Sequence, residues 1–454
     1  MTIINPATHQ TIQTLEEDSK EMIVEKFQAL RQAQPAWAAL PLEQRIGIIQ
    51  KFYALLDEEK DELAKTLTAE MGKPLQQSYN EINGARSRIR YFIDNAAECL
   101  ADEWVNIEGD TREKIVYEPL GVIANISAWN YPYLVGTNVF IPALVAGNAV
   151  LYKPSEYTLL TGLHIQRLLY KAGLPRQVFS VVAGAGAAGE VILALPLDGY
   201  FFTGSYNTGS YIAVKTARKL VPVQLELGGK DPLYIASDVA DVKAVAIGTA
   251  DGAFYNNGQS CCSVERIYVH ETIYDEYVSA FVEEVKSWKI GSPTEPGVYI
   301  GPLTRPAQII ILEQQVKDAL EKGARLLQGG KKISGPGNYF EPTVLVNVNN
   351  QMSVMRDESF GPIIGIMKVA SDKEALQLMQ DTDYGLTAGV YSKDRSRAEA
   401  ILKQINTGTV YWNCCDRVSA ALPWSGRKNS GLGVTLSHQG IRAFVQPKAW
   451  HLRG

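Results

Sequence analysis

Apolar residues follow two different periods along this chain, and the change of period divides it. Over the first hundred residues Ile46, Ile49, Leu55, Leu56, Leu63 and Leu67 recur at helical spacing among Glu and Lys. The run stops at Gly72-Lys73-Pro74. A second helix is predicted over Gln76 to Trp104, then a turn at Gly109-Asp110 before the strand-like Lys114–Pro119. After Gly121 the pattern becomes short β-branched or apolar runs: Val122–Ile126, Ala149–Tyr152, Phe179–Val182 and Tyr200–Thr203. Each is followed by Gly, Pro or Ser and then by a helical segment. Beyond Glu226 the alternation resumes with Leu233–Ile235, Arg266–Val269, Thr343–Val348, Gly365–Val369 and Thr409–Trp412. Strands alternating with helices build parallel sheets, so the expectation is an α/β protein of two lobes meeting near residue 228. Ala443–Leu452 lacks a core pattern and reads as an arm reaching another subunit.

Composition narrows the class. The 454 residues are 46% hydrophobic and 20% charged, with a formal net charge of −5, the balance of an ordinary globular protein too long for one core. A mildly acidic chain without a basic block has no electrostatic footprint for nucleic acid. Met1–Pro6 lacks the basic and apolar regions of a secretory signal. The apolar stretch Leu134–Tyr152 is interrupted by Asn138, Pro142, Gly147 and Asn148, which favours a buried helix over a membrane span. A cytoplasmic location follows as the expectation. The five cysteines are Cys99, Cys261-Cys262 and Cys414-Cys415. An odd number without C-x-x-C spacing supports neither a disulfide framework nor a metal site, and leaves reduced thiols as candidate nucleophiles.

Five local patterns carry chemistry. Gly184-Ala185-Gly186-Ala187-Ala188-Gly189 is a G-x-G-x-x-G between a strand and an apolar helix, a turn that lets backbone approach a pyrophosphate. The acid expected about 20 residues further on is missing, so a turn without ligand contact is an equal reading. In Phe202–Gly209 a strand ends at Gly204-Ser205, where Ser205 caps a helix or donates to a phosphate. Gly258-Gln259-Ser260-Cys261-Cys262 is a tight turn able to expose a thiol, against which stand two cysteines buried as apolar filler. Leu225-Glu226-Leu227-Gly228-Gly229 sets a carboxylate between leucines before two glycines, as a desolvated base or as a helix-end glutamate. Ser127-Ala128-Trp129-Asn130-Tyr131-Pro132 follows a strand and offers a side-chain amide to a developing oxyanion, or is a plain turn with a core tryptophan.

Together, and in this order, these elements resemble the aldehyde dehydrogenase superfamily over essentially the whole chain. Ala128–Pro132 is similar to its Pro-Trp-Asn-Phe/Tyr-Pro element, Lys153-Pro154-Ser155-Glu156 to its adenosine-ribose element, and Phe202–Gly209 to its phosphate-side turn. Glu226–Gly229 resembles the general-base signature, Gly258–Cys261 the G-Q-x-C nucleophile signature, Glu358–Pro362 the nicotinamide-ribose clamp, and Asn413 the late asparagine.

The resemblance implies a Rossmann-like cofactor lobe (1–100 and 120–228), a catalytic α/β lobe (229–435) and an oligomerisation element (101–119 and 436–454), with a homodimer or homotetramer. It implies Cys261 as nucleophile, Asn130 as oxyanion donor and Glu226 as base of thioester hydrolysis. Trp129, Lys153, Ser155, Glu156, Gly184, Gly204, Ser205, Gly228, Glu358 and Phe360 would receive NAD, or NADP, with Glu156 favouring NAD. By the same alignment Tyr131, Val135, Arg417, Val418, Ser419 and Trp424 line the substrate mouth. Arg417 and Ser419 together would grip a distal carboxylate, as of succinate semialdehyde. The alternative is a generic tunnel for neutral or ammonium-bearing aldehydes, with Arg417 facing solvent or pairing with Asp416. Two departures stand out. The lysine and late glutamate that many members pair are Val139 and Thr435 here, and the usual Pro-Phe-Gly-Gly is Pro423-Trp424-Ser425-Gly426. A coenzyme-A-acylating relative usually lacks the glutamate present here as Glu226. A structural relative is disfavoured by Cys261, Glu226 and Asn130, and a cofactor-free cysteine hydrolase by the absence of a His in a triad setting.

Overall fold

The computed structural model describes residues 1–454. A short antiparallel hairpin, Thr2–Ile4 with Thr11–Thr14, precedes four helices: Lys20–Ala38, Leu42–Glu58, Lys60–Met71 and Leu75–Cys99. Their predicted apolar positions Ile49, Leu55, Leu56, Leu63 and Leu67 are buried. The third helix ends at Gly72, whose φ of +91° closes the last turn with its N–H on Thr68. A Cβ there would meet Pro302 Cγ at 2.7 Å and Pro6 Cγ at 2.8 Å, so only glycine fits. The fourth helix stops at Cys99. Glu103 and Trp104, expected in its last turn, lie instead in the strand Glu103–Glu108, where pairing with Thr111–Pro119 overrides helix preference.

The first large sheet runs in the order Gly431–Leu432, Val223–Glu226, Gly199–Thr203, Val122–Ile126, Ala149–Lys153, Phe179–Val181. All neighbours are parallel except the edge strand Gly431–Leu432, which returns antiparallel from the far end of the chain. The apolar stretch Leu134–Tyr152 proves to be most of a buried helix, Pro132–Val145, a turn at Gly147, and then the strand Ala149–Lys153. Asn148 is fully paired in that turn: its amide donates to Ala143 and Phe444 carbonyls, and its oxygen accepts from Gly121 N–H. No helix is long and apolar enough to cross a membrane.

The second sheet has seven strands in the order Arg325–Gln328, Thr343–Val346, Ile363–Val369, Val264–His270, Asp231–Ile235, Thr387–Tyr391, Thr409–Trp412. Arg325–Gln328 is its one antiparallel strand. That strand and the wholly buried Thr387–Tyr391 escape the sequence reading. Val445–Arg453 pairs residue for residue with Thr111–Pro119 of its own chain, completing a three-stranded antiparallel sheet with Glu103–Glu108. Trp104, Val105, Ile107, Trp450 and Leu452 are exposed on it.

The first sheet fixes where chemistry can occur. From its central strand Val122–Ile126 the chain winds outward through Ala149–Lys153 to Phe179–Val181, then returns to the other side as Gly199–Thr203 and Val223–Glu226. The crevice beyond the carboxyl ends of parallel strands, where winding reverses, is the open place for a ligand. The segments leaving those ends are Ser127–Asn130, Lys153–Glu156, Gly204-Ser205 and the stretch after Glu226.

Candidate active site

The thiol turn is held by side-chain amides. After the helix Val242–Phe254 the backbone turns left-handed at Asn256 (φ 54°), Asn257 (φ 57°) and Gly258 (φ 67°). The two asparagines tolerate that region, and at Gly258 a Cβ would run into the Gly361 carbonyl. Asn256 Nδ2 donates to the carbonyls of Gln259 and Asn130, each at 3.2 Å, and Asn257 Nδ2 to Gly301 at 2.7 Å. Gln259 Oε1 accepts from Thr304 N–H at 3.0 Å. Asn130 Nδ2 in turn donates to Gln259 O at 3.1 Å, which ties the amide on the first sheet to the turn two residues before Cys261.

The two adjacent thiols differ. Cys262 is buried and donates to Asp416 Oδ1 at 3.1 Å, and hydrogen bonding to Cys261 together with burial pushes its thiol well above the ordinary range. Burial, helped by Cys262, likewise raises Asp416 well above the usual carboxylate range. Cys261 is half-buried. It faces a cavity of about 520 Å³ together with Asn130, Tyr131, Val135, Val418 and Trp424. Arg417 also reaches this cavity from an exposed loop. It forms no ion pair with Asp416, while its backbone carbonyl accepts from Tyr411 Oη at 2.5 Å. Ser419 is exposed and outside the cavity wall, and its Oγ accepts from Ala421 N–H at 3.3 Å. The Ser419 oxygen serves a local turn, and its O–H has no protein acceptor.

Glu226 ends the strand Val223–Glu226. It is buried, neither carboxylate oxygen has a hydrogen-bond partner, and burial raises its pKa well above the usual carboxylate range. Gln224, two residues earlier and on the same face of the strand, is also buried with both amide atoms unpartnered. Both side chains therefore keep unused hydrogen-bonding capacity among protein atoms. The glycine turn that follows this strand packs on the backbone of the thiol turn: a Cβ on Gly229 would lie 2.8 Å from Cys261 O, while Glu226 itself is not part of the cavity wall. Val139 and Thr435 are both buried, and Thr435 Oγ1 donates to Trp424 O at 3.5 Å.

Glu358 occupies the space where a Cβ on Gly228 would be, and accepts from Gly229 N–H at 3.1 Å. Burial, reinforced by Glu265, pushes its carboxyl up to about 8. Glu265 pairs with Lys230 at 2.6 Å and accepts from the N–H groups of Ser359 and Phe360, holding Phe360 at φ 46°. Trp129 packs edge-on against Phe360, ring centroids 5.4 Å apart.

Further along the sheet, Lys153 is buried with a single long bond to Pro154 O. Burial lowers its pKa, opposed by Glu156 and Glu17. Ser155 Oγ lies 3.3 Å from a Glu156 oxygen. Ser205 caps the helix Tyr206–Thr216 by accepting from Thr208 N–H, and the Phe202 ring fills the space beside Gly204. At Gly184 a Cβ would meet Ala188 Cβ at 2.7 Å and Glu17 Oε2 at 3.6 Å. An under-paired buried cation, a buried carboxyl and glycines with no room for a side chain fit a dinucleotide along these strand ends, with Glu17 as an unforeseen acidic neighbour.

Three further groups were not foreseen. Lys73, read only as part of a helix stop, forms a fully buried ion pair with Glu81. Lys73 also donates to Asn130 O at 2.9 Å and stands 3.9 Å over the Tyr131 ring, while Glu81 accepts from Tyr133 N–H at 2.8 Å. The pair fastens the loop carrying Asn130 from beneath. Arg88 and Asp251 also face the cavity.

Residues 1–450 match the profile of the aldehyde dehydrogenase family. The chain is 34% identical to peroxisomal aminoaldehyde dehydrogenase 1 of Pisum sativum, over 98% of its own length and 91% of that protein. It is 34% identical to the NADP(+) succinate-semialdehyde dehydrogenase of Escherichia coli K12, over 98% and 93% of the two chains. It superposes on the crystal structure of a Staphylococcus aureus betaine aldehyde dehydrogenase in complex with NAD+ with a TM-score of 0.95 at 31% identity, covering all of this chain and 91% of that one.

Proposed function

The chain belongs to the aldehyde dehydrogenase family and is an NAD(P)-dependent aldehyde dehydrogenase; we propose that Cys261, Asn130 and Glu226 carry its reaction. The observation that carries this reading is the bond from Asn130 Nδ2 to Gln259 O, which holds an amide donor beside the Cys261 turn while Cys262 is tied to Asp416. The Cys261 thiolate attacks the aldehyde carbon, and the carbonyl electron pair moves onto oxygen. The second N–H of Asn130 and the Cys261 backbone N–H stabilise that charge where it develops. Bound nicotinamide supplies the hydride acceptor that leaves a thioester on Cys261. Glu226 takes a proton from water as the water attacks the thioester carbon, the C–S bond breaks, and the acid departs from a restored thiolate.

Glu358 and Lys153 would hold the two riboses, with Trp129 and Phe360 at the nicotinamide end. Ser155, Gly184, Gly204, Ser205 and Gly228 would line the path between. NAD is favoured because the Glu156 carboxylate beside Lys153 opposes a 2′-phosphate. The substrate is an aldehyde with a distal carboxylate, a reading supported by the cationic Arg88 and Arg417 in the cavity wall. A cation-bearing aldehyde is the competing reading, because Asp251 lines the same cavity. A kcat/KM panel of ω-carboxylate, neutral and ω-ammonium aldehydes with both cofactors tests these assignments. Higher efficiency with ammonium aldehydes would overturn the substrate class, and with NADP the cofactor preference.

The division of the chain into a cofactor lobe (1–100 and 120–228), a catalytic lobe (229–435) and an oligomerisation element (101–119 and 436–454) belongs to the same proposal. So do a cytoplasmic location and a homodimer or homotetramer formed through the exposed apolar residues of the three-stranded sheet. Analytical ultracentrifugation tests the assembly, and a monomer at micromolar concentration would refute it.

A further inference from the structure

Guanidinium groups buried for structural reasons in this fold are saturated. Arg45 donates to the carbonyls of Val145, Ala38 and Leu40, and Arg266 to those of Lys230, Leu378, Met379 and Asp381. Arg88 is different. It projects from the helix Leu75–Cys99 into the cavity that holds Cys261 and Asn130. It makes one hydrogen bond, from Nη1 to Asn138 Oδ1 at 3.0 Å, and no ion pair. Its other N–H groups have no protein acceptor. The carboxylates around it are engaged elsewhere: Asp416 with the Cys262 thiol, Asp251 with the Tyr299 hydroxyl, and Glu81 with Lys73. Burial lowers the guanidinium to about 10, against the opposing pull of Cys262 and Cys261, so it is cationic at neutral pH. Arg88 is half-buried on the cavity wall, and a cation held there with most of its donors unused by the protein is open to an anion that enters the cavity.

We propose that Arg88 is the anion-binding residue of the substrate cavity, receiving the distal oxyanion (carboxylate or sulfonate) of an aldehyde whose carbonyl carbon lies at Cys261. The proposal rests on the assignment of Cys261 as nucleophile. Asn138 lies six residues into the helix that begins at Pro132, which sets it about 9 Å along the axis from the turn carrying Asn130. An aldehyde and an oxyanion separated by a few methylenes span that interval once the guanidinium reaches back from Asn138. The planar fork matches an oxyanion bidentately, and Asn138 acts as a positioning residue that orients the fork. Arg417, on the exposed loop at the mouth, sits where solvent and salt screen it, and contributes to steering more than to affinity.

Steady-state kinetics of the full chain with NAD test this, using succinate semialdehyde, glutarate semialdehyde, sulfoacetaldehyde, butanal and pentanal. In Arg88→Met the ratio of kcat/KM for each semialdehyde acid to that for its neutral counterpart should fall roughly 10- to 100-fold, carried by KM. Arg88→Lys keeps the charge without the fork and should lose part of that ratio, and Asn138→Ala should move it in the same direction by less. A fall confined to sulfoacetaldehyde assigns the sulfonate as the ligand; a fall with the semialdehyde acids assigns the carboxylate. Equal losses on charged and neutral aldehydes, joined to alkylation of Cys261 by iodoacetamide only at higher pH, would show that Arg88 serves the thiolate and overturn the proposal. So would a selective loss in Arg417→Ala that is absent from Arg88→Met, or a wild-type enzyme with no preference for anionic aldehydes. Full turnover in Cys261→Ala would defeat the underlying functional reading; a dead Cys261→Ala beside an unaltered ratio in Arg88→Met would defeat this proposal alone.

Discussion

Replacing Lys73 by methionine separates what the Lys73–Glu81 pair does for stability from what it does for the chemistry. Both side chains are fully buried, so Lys73→Met leaves the Glu81 carboxylate with N–H donors of the helix start but no cation. Removing one partner of a buried pair costs about 3–5 kcal/mol. That figure already includes the cation–π contact with Tyr131 and the bond to Asn130 O, because all three interactions share one ammonium group. The second consequence is positional. Asn130 O keeps the Asn256 amide at 3.2 Å but loses the shorter Lys73 bond. A displacement of the oxyanion donor by a fraction of an ångström is expected to lower kcat roughly 10- to 100-fold. The double variant Lys73→Met/Glu81→Leu removes both charges at similar volume and should recover most of the stability while leaving Asn130 O held only by the Asn256 amide. The assay is therefore paired: urea unfolding for stability and the pre-steady-state NADH burst rate for acylation. A double variant that regains both stability and burst rate would refute the positional role. A single variant as stable as the wild type would refute the energetic one.

Cys261→Ala should reduce turnover by several orders of magnitude while NAD still binds, whereas Cys262→Ala should keep most activity; the reverse pattern would move the nucleophile by one residue. Glu226→Gln should slow steady-state turnover roughly 100-fold or more yet preserve an NADH burst, since the base acts after the thioester forms; loss of the burst would put Glu226 at the attack step. Because burial raises Glu226, its basic form grows as pH rises. kcat should therefore climb through an apparent pKa well above the ordinary carboxylate value, and that limb should vanish in Glu226→Gln; a flat profile in the wild type would refute it. Glu156→Gln should improve kcat/KM with NADP by roughly tenfold, by removing like-charge repulsion at short range; no change would mean that Glu156 swings away from the ribose.

The parts of the site legible in the sequence are those that chain neighbours define. Gly258–Cys262, Glu226–Gly229 and Ser127–Pro132 each carry their conformation locally, through glycines, asparagines and a strand end, so a short string announces them. The unread parts depend on segments distant in sequence. Nothing beside Lys73 shows that it meets Asn130, 57 residues later, or that Asp416 meets Cys262, 154 residues earlier. Ser419, placed at the mouth by the family alignment, lies on an exposed local turn whose conformation its two-residue spacing to Ala421 sets. The strand Thr387–Tyr391 is silent in the sequence because Thr387-Ala388-Gly389 opens it with small residues, so it shows neither alternation nor the apolar run by which other buried strands announce themselves. Arg88 lies between these cases. On the helix Leu75–Cys99, Arg86 and Arg90 are four apart and share one face, where they pair with Asp57 and Asp94. Arg88 is two residues from each, about 200° around the axis, and so points inward between solvated neighbours. That spacing was present in Arg86-Ser87-Arg88-Ile89-Arg90. What it lacked was a reason to expect a cation on the inner face, and the cavity beside Asn138 supplies one.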